Sequence, residues 1–115
     1  MQLTKKETTA SGIKITLQQE SEPGQEPKEV GRAFLYLMHN DLHQRPFGFM
    51  EDVFVNEEFR GQGVGTKLVQ AVIEEAKARN CYKLIGTSRY ERETVHAWYE
   101  KLGFFKQGHE FRINF

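Results

Sequence analysis

The stretch Glu51-Asp52-Val53-Phe54-Val55-Asn56-Glu57-Glu58-Phe59-Arg60-Gly61-Gln62-Gly63-Val64-Gly65-Thr66-Lys67-Leu68 decides the fold. Its apolar start reads as a strand, its centre as a turn, and its end opens an amphipathic helix. Gly61, Gly63 and Gly65 stand at alternate positions and leave the local backbone amides uncovered. The first N–H groups of a helix also lack intrahelical partners. Together these donors and the positive end of the helix dipole predict an anion site for a phosphate or diphosphate, with the Arg60 cation at its edge.

Two common phosphate motifs do not fit. A P-loop needs Gly-Lys followed by Ser or Thr, whereas Thr66 here separates Gly65 from Lys67. The dinucleotide fingerprint needs Gly-x-Gly-x-x-Gly and an acidic residue at the end of the next strand, but the next apolar run ends Gly86-Thr87-Ser88. What remains is the pattern Arg60-x-x-Gly63-x-Gly65.

Working outward, the helix is marked by Val64, Leu68, Val72, Ile73 and Ala76 and runs to about Arg79, with Asn80 suited to the left-handed position beyond its end. Tyr82–Thr87 is the next strand, so strand, turn, helix and strand predict a right-handed crossover with a parallel pair. The glycine turn then lies at the carboxyl end of its strand, where open sheets place ligands. A second amphipathic helix spans Tyr90–Leu102, with Val95, Trp98, Tyr99 and Leu102 as its stripe and Gly103 as its cap. Phe104–Phe105 and Glu110–Phe115 read as a closing hairpin.

Upstream, Ile13, Ile15 and Leu17 alternate with polar residues as in a half-buried strand, and Gln19–Lys28, with two prolines and a glycine, is a solvated connection. Val30–Met38 carries apolar residues on both parities, which predicts a strand covered on both faces. Phe47–Val55 is the next extended run. The expectation is an α/β (α+β) fold with a mixed sheet of five to six strands and two main helices, forming one domain over residues 1–115.

The 115 residues carry 16 Lys plus Arg and 16 Asp plus Glu, so no net field attracts nucleic acid. No apolar run is long enough to span a membrane, and Met1–Glu7 lacks the apolar core of a signal peptide. The single cysteine, Cys81, cannot form an internal disulfide. A cytoplasmic protein is expected, free of membrane and nucleic-acid partners. His39, Asp41 and His43 are ligands by type but lack a completing set, so no metal is expected.

The segment Trp98-Tyr99-Glu100-Lys101-Leu102-Gly103-Phe104 is similar to the Tyr-Glu-Lys-Leu-Gly-Phe segment of the GNAT superfamily of N-acetyltransferases, and Arg60-x-x-Gly63-x-Gly65 resembles that superfamily's pyrophosphate-binding motif. The resemblance covers Phe47–Phe105 and implies acetyl-CoA as cosubstrate, its diphosphate held by Arg60, Gly61, Gln62, Gly63, Val64, Gly65 and Thr66. It also implies a bulge in the strand before the turn, where backbone groups of Val53, Phe54 and Val55 would pair with the pantetheine arm and polarise the thioester. Two departures stand out. The chain has only the Gln19–Lys28 connection where the family usually has two helices walling the acceptor groove, so an open groove or closure by a second subunit, as in a homodimer, is expected. Arg92 replaces an asparagine frequent in the family and is a candidate phosphate contact.

By the same resemblance Tyr99 protonates the departing thiolate, a task suited to a phenol that stays protonated near neutrality. Its periodicity alone would make it a core residue. Glu51 is the candidate base or water-positioner for the acceptor amine, with Asp52 beside it on the opposite face by alternation; the plainer reading is a solvated charge. His96 is either a proton relay or a surface histidine, and Cys81 is a small buried hydrophobe in preference to a nucleophile. The expected activity is acetyl transfer to a primary amine by direct attack in a ternary complex, on a small molecule, peptide or protein acceptor. The alternatives are a non-catalytic CoA-binding sensor or docking module, or a subunit whose acceptor site a partner completes.

Overall fold

Residues 1–115 are described by a computed structural model. Three long strands run antiparallel in sequence order, β1 (Ala10–Gln19), β2 (Lys28–Met38) and β3 (Phe47–Val55), and the short strand β4 (Leu84–Gly86) pairs in parallel with β3. Helix α1 (Val64–Ala78) makes the crossover from β3 to β4, preceded by a 3-10 turn at Glu57–Phe59, and α2 (Glu93–Lys101) follows β4. The crossover predicted around the glycine turn is therefore present, with β3 at its expected bounds.

Both helix ends obey the same rule. Asn80 takes a left-handed φ of 62°, and Cys81 N–H and Asn80 N–H donate to the Ala76 and Lys77 carbonyls at 3.0 Å each. Gly103, at φ 108°, does the same for α2, where Phe104 N–H reaches the Tyr99 carbonyl and Gly103 N–H the Glu100 carbonyl, both at 3.1 Å. These paired bonds satisfy carbonyls that the helix leaves orphaned and fix the direction in which each chain departs.

The core lies between one face of the sheet and α1. Val30, Ala33, Leu35 and Leu37 of β2 and Met50 of β3 pack against Val64, Leu68, Val69, Val72 and Ala76 of α1, all buried. Gly31 sits where β2, β3 and α1 converge. A Cβ there would stand 2.9 Å from both Leu68 Cδ1 and the Phe54 carbonyl oxygen, so the approach of these elements requires glycine.

Two expectations are corrected. The second face of β2 is not covered, because Arg32, Phe34 and Met38 are only half-buried and Tyr36 is exposed, giving the alternation of a sheet with one packed face. Apolar residues on both parities mark this face with aromatic rings without supplying an element to cover it. The sheet also has four strands rather than five to six, since nothing after Gly103 forms a strand. Phe105, Phe111, Ile113 and Phe115 of the expected hairpin are exposed. An isolated two-stranded hairpin is marginal without a packed face, and this segment has none. No helix is long and apolar enough to cross a membrane.

Candidate active site

The site begins with a fault in β3. Phe34 pairs with Glu51 and Arg32 with Phe54, so Asp52 and Val53 together oppose Ala33. This is a β-bulge, and Asp52 at its centre has a φ of 51°, a left-handed conformation that aspartate tolerates better than most side chains. Pairing with β4 stops nearby at Met50–Gly86. Beyond that point Glu51–Val55 has no strand neighbour on the side away from β2, so the backbone of Val53, Phe54 and Val55 has an open edge, the proposed slot, on that side.

The bulge also alters the two carboxylates. Strict alternation would have sent Glu51 and Asp52 to opposite faces, but the extra residue interrupts it and both are exposed. Glu51 pairs across the ladder with Phe34 and so shares the uncovered sheet face with Phe34, Tyr36 and Phe49. Phe34 and Tyr36 lie nearly parallel there, 8° between planes with centroids 6.2 Å apart.

Where β3 ends, the chain turns through Gly61 and Gly63, at φ 77° and 79°, into α1. A Cβ on either would meet nothing within 4 Å, so backbone conformation alone requires these glycines. Gly63 takes the N-cap position without a capping side chain. The first N–H in this region with a backbone acceptor is that of Lys67, to the Gly63 carbonyl at 3.1 Å, so the N–H groups of Gly61 to Thr66 remain available. They border a cleft of about 240 Å³ lined by Val55, Phe59, Arg60, Gly61, Gly63, Val64, Gly65, Thr66 and Trp98.

Arg60, Gly61, Gly63, Val64, Gly65 and Thr66, six of the seven residues expected to hold a diphosphate, line this one cleft. Arg60 lines the cleft with its Nε–H donating to the Val55 carbonyl at 3.0 Å, which ties the loop to the strand end. Gln62 turns back toward the Glu58 carbonyl, 3.4 Å away, and does not line the cleft. The Phe54 side chain also lies outside it, between the guanidinium groups of Arg32 and Arg60 at 4.8 and 5.5 Å from its centroid. Only its backbone belongs to the slot. Trp98 and Phe59 are additions that the sequence reading missed. Trp98 counted as one more residue of an apolar stripe, yet an indole N–H buried on such a stripe needs an acceptor, and that requirement was the available signal.

That acceptor is Thr66. Trp98 Nε1–H donates to Thr66 Oγ1 at 3.0 Å, and the ring lies over Gly65, where a Cβ would come within 3.3 Å of it. The neighbouring Tyr99 packs between Trp98 and Phe104, with centroids 5.3 Å away on both sides, close to Gly86 at the end of β4. Burial raises the Tyr99 phenol above its ordinary value, partly opposed by the nearby Arg92 guanidinium. The group is thus held protonated at neutral pH beside the strand divergence.

Arg92, at the N-cap of α2, acts electrostatically on Tyr99 and does not line the anion cleft. His96 donates Nε2–H to the Arg89 carbonyl at 2.8 Å and is half-buried. Cys81 is half-buried and its thiol is raised by burial, in keeping with an inert side chain. Asp41 pairs with Lys6 at 3.4 Å, and His43 lies tilted against Tyr82 with ring centroids 4.4 Å apart.

Comparison with known proteins agrees with this geometry. The model of the Acetyltransferase (GNAT) family matches residues 25–104. The chain is 38% identical over 68 residues to a probable glucosamine 6-phosphate N-acetyltransferase of Oryza sativa subsp. japonica, a match covering 59% of this chain and 39% of that protein. It is 35% identical over 78 residues to an aminoglycoside N(6')-acetyltransferase type 1 of Stenotrophomonas maltophilia, covering 65% and 51%. The chain thus spans about half or less of the curated relatives it matches. A solved putative acetyltransferase from Agrobacterium tumefaciens superposes with a TM-score of 0.71 at 35% identity, over 83% of this chain and 65% of that one. With the family model matched over residues 25–104, most of this chain, the chain belongs to the acetyltransferase (GNAT) family.

Proposed function

We propose that the protein transfers the acetyl group of acetyl-CoA to a primary amine by direct attack in a ternary complex. The observation that carries this reading is the adjacency of two backbone features, the unpartnered N–H groups of Gly61 to Thr66 and the open side of β3 at its bulge. The first suits a diphosphate and the second an extended arm ending in a thioester. The amine nitrogen attacks the thioester carbonyl carbon, and a backbone N–H in the Val53–Val55 segment stabilises the oxyanion. Collapse of the tetrahedral adduct breaks the C–S bond, and Tyr99 gives its proton to the leaving sulfur. The proton lost by the amine passes to Glu51 directly or through water. Glu51 shares the uncovered sheet face with Phe34, Tyr36 and Phe49, which supports reading that face as the acceptor side.

The relatives named for glucosamine 6-phosphate and aminoglycosides support a small amine as acceptor. A second reading, in which a partner or a second copy completes the acceptor wall, is favoured by the uncovered aromatic face itself. The test is mass-spectrometric, with acetyl-CoA and a pooled panel of amino sugars, polyamines and peptides, reading acetylated product and free CoA. A protein-dependent product is expected. Absence of product and of CoA release, with acetyl-CoA still raising the melting temperature, would refute transfer by this chain alone; absence of any shift would refute the cofactor site.

A further inference from the structure

We infer that Trp98 is a positioning residue for the anion cleft, acting through Thr66. The inference rests on the diphosphate reading above and goes beyond it by assigning the indole a part in binding. Trp98 Nε1–H can only donate, whereas a threonine hydroxyl has one proton to give and two lone pairs to receive. By donating at 3.0 Å to Thr66 Oγ1, the indole occupies a lone pair and fixes the oxygen. No group in the chain accepts the Thr66 hydroxyl proton, and Thr66 lines the cleft at the third position of α1. A hydroxyl held in this way presents its proton to an anion whose other contacts are the backbone N–H groups around it. In the absence of the indole the same hydroxyl is free to turn back on a carbonyl of the preceding turn, as threonines in helices commonly do.

A structural consequence follows for α2. Trp98, over Gly65, is the α2 residue that lines the cleft, and Tyr99 follows it immediately. The hydrogen bond therefore ties the turn of α2 that carries Tyr99 to the first turn of α1 beside the cleft.

The test uses the full chain, isothermal calorimetry with acetyl-CoA, and the variants Trp98→Phe, Thr66→Val, Thr66→Ser and the double variant, each first checked for an intact thermal transition. Trp98→Phe should weaken acetyl-CoA binding roughly five- to tenfold, and Thr66→Val tenfold or more, the range of one hydrogen bond to a charged group. In the Thr66→Val background Trp98→Phe should cost less than twofold, while Thr66→Ser should keep the full effect. Because Trp98 is the only tryptophan, wild-type fluorescence should also respond more to acetyl-CoA than to S-acetylpantetheine, which lacks the diphosphate. An equal loss from Trp98→Phe in both backgrounds would overturn the inference and reduce the indole to packing. Should Trp98→Phe not fold, undiminished binding by Thr66→Val overturns it alone. Wild-type protein that binds no acetyl-CoA at millimolar concentration would remove the diphosphate reading, and this inference with it, a result distinct from tight binding unaffected by either substitution.

Discussion

Gly31→Ala tests whether the slot is set by close backbone approach. The added Cβ would lie 2.9 Å from Leu68 Cδ1, 2.9 Å from the Phe54 carbonyl oxygen and 3.3 Å from Val64 Cγ1. Leu68 is buried and Phe54 O belongs to a paired strand, so neither neighbour yields as a flexible exposed side chain would. Overpacking of this kind costs about 1–3 kcal/mol. A domain of 115 residues has an unfolding entropy that converts each kcal/mol into about 4 °C, so the melting temperature should fall by about 4–12 °C. Gly108→Ala makes the same chemical change where a Cβ meets nothing within 4 Å, and should leave the transition in place. Urea titrations of the two variants supply the free energies. If Gly31→Ala is as stable as Gly108→Ala, the proposed constraint between β2, β3 and α1 does not exist. A stable Gly31→Ala variant would show that β2, β3 and α1 can approach without glycine at this point.

Other outcomes follow from individual groups. Tyr99→Phe should lower turnover while sparing acetyl-CoA affinity, and unchanged turnover would remove its role as acid. Because burial raises the Tyr99 pKa, the folded chain holds this proton where the unfolded chain has begun to lose it; stability from this group is full below the ordinary value of 10.0 and falls as pH rises through the folded value. The difference in unfolding free energy between wild type and Tyr99→Phe should accordingly be flat from pH 7 to 9 and shrink above 10, and a decline already under way at pH 8 would contradict it. Burial also raises Cys81, so iodoacetamide at pH 8 should label the folded chain several-fold more slowly than the urea-unfolded chain; equal rates would show a free thiolate. Ser88 Oγ is buried without a partner, so Ser88→Ala should be neutral or raise the melting temperature, whereas destabilisation would reveal a bond the hydroxyl makes.

The parts of the site that were legible in sequence are those that constrain the backbone. Gly61 and Gly63 adopt positive φ, a requirement few residues other than glycine meet, and their spacing before an amphipathic run left little besides a strand-to-helix turn. Gly103 and Asn80 were readable for the same reason. The uncovered face of β2 was not, because Phe34, Tyr36 and Met38 have the composition of a packed face and only the absence of an overlying element separates the two cases. The last strands failed similarly. Phe111, Ile113 and Phe115 alternate as a strand does, but alternation records a face suited to burial and cannot provide the neighbour that buries it.

The division carries into the chemistry. In the proposed reaction, gripping a diphosphate and polarising a thioester fall to N–H groups whose direction the backbone sets, so the glycine positions and the bulge at Asp52 would specify that half almost without regard to side chains. Choosing the amine is a different problem. Under the proposal it falls to side chains on the open sheet face, Glu51 among Phe34, Tyr36 and Phe49, where alternation is interrupted and no element covers the face. The elements beside the proposed cofactor site are tightly packed, since Gly31 and Gly65 are each pressed against a neighbour that leaves no room for a Cβ without movement. The acceptor half has no comparable constraint, so substitutions on its aromatic face should alter which amine is used before they alter the binding of acetyl-CoA. A screen of Phe34→Ala, Tyr36→Ala and Phe49→Ala that instead abolished acetyl-CoA affinity in folded protein would place the acceptor elsewhere.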